Sequence, residues 1–136
     1  MYDCIQRKTT ADCRGVKMNR ESLEIYIEET YGACAEYLWQ RYPNYAVYRH
    51  RGNRKWFAVM MDLPRSRLGL DGEGTVHVVN LKCDPVLTGM MLKEKGIFPG
   101  YHMNKAHWIT VSLDAVDSDK IKSLLQMSFL LTDKKT

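Results

Sequence analysis

Apolar side chains change their spacing several times along the 136 residues, and each change of period marks an element. Leu23, Tyr26, Ile27 and Thr30 recur at three- and four-residue intervals, while Glu21, Glu24, Glu28 and Glu29 fill the positions between. That spacing predicts a helix capped by Asn19 and ended by Gly32. A shorter helical piece is expected over residues 35–41, broken by Pro43. Residues 45–50 (YAVYRH) and 55–61 (KWFAVMM) are extended runs, and RGNR between them has the turn residues of a hairpin. Pro64 stops the second strand, a glycine-containing loop covers residues 65–74, and the β-branched run 75–82 makes a third strand.

Asp84-Pro85 supplies an N-cap and a proline at the first helical position, predicting a helix through Leu87, Met90, Met91 and Lys95 that ends at Gly96. A short extended piece follows at residues 97–100. Residues 107–113 then alternate strictly, with Ile109, Val111 and Leu113 on one face and Trp108, Thr110 and Ser112 on the other. Asp117 or Ser118 caps a last helix, with Ile121, Leu124, Leu125 and Ser128 along one side to about Leu131.

The order α-β-β-β-α-β-β-α lacks the alternation of parallel-sheet folds. It predicts an α+β fold of two layers, a five-stranded antiparallel sheet with helices on one face. The other face is then expected to stand in water, with its aromatic and basic residues open to a partner. Residues 1–17 show no sustained period and read as an N-terminal extension to a single domain over 18–136.

Composition adds limits. Hydrophobic residues at 45% and charged ones at 26% give the ordinary globular balance. Cys4, Cys13, Cys34 and Cys83 form no C-x-x-C pair, so reduced thiols in a cytoplasmic protein are expected. No apolar run reaches the roughly 18 residues of a membrane span, and the first residues lack the apolar core of a signal peptide. Net charge is only +4, but it is segregated: residues 49–67 hold Arg49, Arg51, Arg54, Lys55, Arg65 and Arg67 against Asp62 alone.

Several phrases together, EYLWQRYPNYAVYRH, RKWFAVMM, VVNLKCDP and above all PGYHMNKAHWITVSL, resemble the MmcQ/YjbR family of small bacterial proteins. The resemblance covers roughly residues 18–131. It implies a two-layer fold of the type called CyaY-like or secretion-chaperone-like, agreeing with the element order. It also implies DNA binding through a double-wing arrangement, and it carries no catalytic residues onto this chain.

The residues themselves leave several chemistries to weigh. His102 and His107 are five apart and on a continuous strand would point to opposite faces, so a metal site is not expected. Cys83 with either histidine lacks any oxyanion motif, so no enzyme and no cofactor are expected, although a helix-start position could lower the thiol's pKa. GLDGEG at residues 69–74 leads into a strand and lacks the P-loop lysine. Nucleic acid is the leading partner. Arg49, Arg51, Arg54 and Lys55 at the hairpin tip and Arg65 and Arg67 on the next loop form two adjacent wings in this reading, joined by Asn104, Lys105 and Trp108 as amide, amine and stacking ring.

Two alternatives stand beside it. One is a protein-interaction or chaperone-like module using the open sheet face through Tyr45, Trp56 and Trp108. The other is a pocket for a small anion built from Tyr45, Lys82, His102, Asn104, Lys105 and His107. A monomer that does not enter membranes is expected in each case.

Overall fold

Asn19 acts as its position predicts. Its side-chain oxygen accepts the Ser22 N–H, and α1 (Arg20–Tyr31) ends at Gly32, whose φ of 67° is the left-handed conformation glycine adopts at little cost. The computed structural model describes residues 17–133, so the expected extension lies, apart from its last residue, outside the described residues. After α1 come β1 (Ala46–Arg49), β2 (Trp56–Pro64), a 3-10 turn (Arg65–Leu68), β3 (Thr75–Lys82), α2 (Pro85–Met91), β4 (Ile97–Pro99), β5 (Trp108–Ser112) and α3 (Ser118–Thr132). The sheet runs β1-β2-β3-β5-β4 and every neighbouring pair is antiparallel. The predicted α+β architecture is thus the observed one.

Strand alternation builds two cores. On one face Ala46, Tyr48, Ala58, Met60, Val79, Leu81, Ile109 and Val111 pack against Leu23 and Ile27 of α1 and Ile121, Leu124 and Leu125 of α3. Each large side chain buried there contributes roughly 1.5–3 kcal/mol, enough to hold helices whose own polar faces favour water.

The other face departs from expectation. Val47, Val59, Met61, Leu63, Val76 and Val78 form a second core, and Trp39, Trp56, Leu68 and Tyr101 close over it. This face is covered rather than open to water, because its apolar row would otherwise be left exposed. Tyr45 and Trp108, expected to be outward partners, are each only 8% exposed.

Two element boundaries also differ. Residues 35–41 are not helical: Glu36 and Val47 exchange backbone hydrogen bonds of 2.9 and 2.8 Å, giving part of edge strand β1 a partner. An extended backbone there also sends Trp39 onto Tyr45 and Trp56, edge-to-face at 5.9 and 5.8 Å. Helix α2 starts as predicted, with Asp84 accepting the Val86 N–H, but ends at Met91 and turns into β4 rather than continuing to residue 95.

Candidate nucleic-acid interface

The strand register decides which basic residues meet. Ala58 pairs with Leu81, Leu81 with Ile109, and Pro99 with Ile109. The start of β2, the end of β3, the start of β5 and the end of β4 therefore lie at one end of the sheet. The β1–β2 hairpin tip projects from that end with Arg49, Arg51, Arg54 and Lys55. Lys82 closes β3 beside it, and Lys105 follows on the loop between β4 and β5.

Local chemistry shapes this end. In the hairpin, Lys55 N–H donates to the Asn53 side chain, His50 N–H to Lys55 O, and Arg54 N–H to His50 O. Arg54 sits at φ 65°, a conformation that costs a side-chain-bearing residue on the order of 1 kcal/mol. Lys105 Nζ donates to Gly100 O at 2.9 Å, and Lys82 Nζ lies 5.5 Å from the centre of the Trp108 ring. Asn104 builds the turn: its side-chain oxygen accepts the Ala106 N–H, and its carbonyl accepts from His107 and Trp108. Ring and amide thus serve the scaffold, and Trp108 presents no open stacking face.

Charge at this end is partly paired. Glu36 forms ion pairs with Arg49 at 3.3 Å and Arg54 at 3.4 Å, and Asp133 lies 3.5 Å from the buried His50. Asp84 is engaged in capping α2. Six basic side chains share this end with these three acids and with the last turn of α1, which carries Glu28 and Glu29 and whose Gly32 lies against the Arg51 guanidinium. Arg51 and Lys55, both exposed, enter no ion pair among the described residues.

The remaining predicted residues are elsewhere. Arg65 and Arg67 leave from the opposite end of the nine-residue β2, about 27 Å away at the usual strand rise. The two loops are therefore not adjacent wings. Arg65 Nε donates to Asp71 O at 2.7 Å, and Arg67 folds back over the sheet to donate to the Tyr101 hydroxyl at 3.2 Å. The anticipated anion pocket is also divided. Tyr45 joins Arg67 and Tyr101, whereas Lys82, Asn104, Lys105 and His107 belong to the basic end. His102, exposed at φ 63°, lies 4.1 Å from the Tyr101 ring, ring centre to ring centre.

Cys83 is buried, and burial pushes its thiol pKa up; a Thr88 hydrogen bond pulls the other way without prevailing. The helix-start position does not make it a low-pKa thiol. Among the described residues, no three His, Cys, Asp or Glu side chains come together to hold a metal, and no helix is long and apolar enough to cross a membrane.

Sequence reasoning left out Glu36, which moderates the hairpin, and the cluster in which Asp62 Oδ1 meets Arg20 Nη1 and His77 Nδ1, each at 2.7 Å. Partners 13 to 42 positions apart leave no local signal.

Fold and site together define a small two-layer α+β domain with one basic sheet end. The YjbR family model matches residues 28–131, and the chain belongs to that family. It is 40% identical over 116 residues to the uncharacterized protein YyaQ of Bacillus subtilis (strain 168), covering 85% of this chain and 98% of that protein. A crystal structure of a Pseudomonas syringae protein matches with a TM-score of 0.82 at 43% identity, over 85% of this chain and 99% of that one. A crystal structure of a Deinococcus radiodurans protein matches at 0.64 and 25% identity, over 85% and 78% of the two chains.

Proposed function

We propose that the protein binds DNA, weakly and mainly through phosphates, at the sheet end formed by the β1–β2 hairpin tip, Lys82 and Lys105. It acts as a binding protein and not as an enzyme. The observation that carries this reading is the register, which assembles six basic side chains from three separate segments. Strands β1 and β5 are three strand spacings apart, about 14 Å, so the charges can follow several phosphates of one backbone. Affinity then depends strongly on salt and little on base sequence. The helices do not favour base reading: α1 carries Glu21, Glu24, Glu28 and Glu29, and α3 buries its apolar side in the core.

Fluorescence anisotropy with short duplex and single-stranded DNA, measured from low to moderate salt on nuclease-treated protein, tests the proposal. Combined Arg51→Ala, Arg54→Ala and Lys55→Ala is expected to flatten the log–log salt slope by about 2–3, since each lost phosphate contact removes about 0.9. The Arg65→Ala, Arg67→Ala pair is expected to leave it unchanged. Unchanged affinity in the triple variant removes the hairpin from the account. A peptide-holding sheet face is not favoured, because Tyr45 and Trp108 are both buried.

A further inference from the structure

A cleft of about 280 Å³ opens where the segment leading into β1 passes the end of β2, a volume just below the usual ligand-pocket range. Arg41, Tyr42, Tyr45, Asp62, Arg67 and Tyr101 supply its distinctive chemistry. Asp62, the one acid in the lining, is already held by Arg20, whose charge opposes its own, and by a hydrogen bond with His77. Arg41 makes no hydrogen bond or ion pair among the described residues, and Arg67 commits one nitrogen to the Tyr101 hydroxyl. A guanidinium has five N–H donors, so both retain capacity for an oxyanion.

The aromatic walls add a second, independent feature. Tyr42 and Tyr45 are stacked with ring centres 4.7 Å apart and planes 14° from parallel, and Tyr42 is 43% exposed. A stacked pair with an exposed outer ring is a platform that a further flat ring extends. Tyr45 also has its phenol pKa raised, by burial first and by Tyr101 and Tyr42 next, so its hydroxyl stays protonated at neutral pH and remains able to donate.

The geometry points to a binding site for a small planar anion: an aromatic ring bearing a carboxylate or phosphate, its charge on Arg41 and Arg67 and its ring on the Tyr42–Tyr45 stack. The site is separate from the basic sheet end, so either proposal can fail without the other.

Calorimetric titration of the full chain tests it, with 4-hydroxybenzoate and deoxyadenosine monophosphate as ring-bearing anions. Neutral 4-hydroxybenzamide, neutral deoxyadenosine and inorganic phosphate serve as controls. At least one ring-bearing anion is expected to saturate, with its neutral analogue and inorganic phosphate each about tenfold weaker. Arg41→Ala, Arg67→Ala and Tyr42→Ala are each expected to weaken it by roughly five- to tenfold. All three side chains are exposed, and an unchanged circular dichroism spectrum checks that the variants fold. A preference for the carboxylate assigns an aromatic acid; a preference for the phosphate assigns a mononucleotide. Failure of both anions to saturate overturns the site, as does equal binding of inorganic phosphate or unchanged binding in the Arg41, Arg67 double variant.

Discussion

Asp62 lies where β2 passes beneath α1, and its Oδ1 receives hydrogen bonds from both Arg20 and His77. Burial alone would raise its pKa, but the His77 and Arg20 hydrogen bonds and the Arg20 charge outweigh burial and hold the carboxyl below its ordinary range. A carboxyl depressed in the folded state stabilises the fold above its unfolded pKa of about 3.9, and that contribution is lost as pH falls through the native value. Asp62→Asn is therefore expected to cost about 1–2 kcal/mol at pH 7, with variant and parent converging below about pH 4. Urea denaturation from pH 7 to pH 2.5 measures this, and a gap that persists in acid would assign the loss to packing. The cluster was not legible in the sequence, since Arg20 and Asp62 are 42 positions apart; the Asn19 and Asp84 caps were, because each acts within three residues.

Ser128 joins elements in the same hidden way. From α3, fully buried, its hydroxyl donates to Phe57 O at 2.6 Å and accepts the Lys82 N–H at 2.8 Å. One side chain thus ties the helix to the ends of β2 and β3 and fixes the backbone that carries Lys82. Ser128→Ala leaves a buried donor and a buried acceptor unsatisfied, so a loss of about 2–3 kcal/mol is expected. Hydrogen exchange at the Lys82 amide should accelerate relative to Leu81. An unaltered rate at Lys82 would show that the serine does not hold that strand end. Periodicity placed Ser128 on the buried side of α3, but a period names a face and not a partner. Residues 35–41 illustrate the converse, where local pattern suggested a helix and the edge of β1, with Trp39 drawn onto Tyr45 and Trp56, favoured an extended chain.

At the scale of the molecule, one sheet is the common wall of two cores, so neither face can lose its packing without loosening strands that the other uses. Leu125→Ala on the helical face and Met61→Ala on the opposite face are each expected to cost about 2–5 kcal/mol. Both should move a single unfolding transition. Far-ultraviolet circular dichroism and tryptophan fluorescence would then superimpose in every variant. Two separate transitions for Met61→Ala would mean that the cover formed by Trp39, Leu68 and Tyr101 comes off by itself.

Apart from residues 35–41, element types, their order and the α+β class follow from the sequence because they rest on interactions a few residues long: side-chain period, caps, turn glycines and prolines. The segregation of charge is legible there too, since it needs only counting. Tertiary structure alone decided which charges share a surface. Register set the β1–β2 hairpin tip, Lys82 and Lys105 at one end of the sheet, and the length of β2 separated them from Arg65 and Arg67. It also decided that the second sheet face is covered, because Trp39, Leu68 and Tyr101, which close it together with Trp56 of β2, come from three separate connecting segments that only the folded chain brings together. Side-chain alternation says that a strand has two faces; what lies against each is settled by segments distant in sequence.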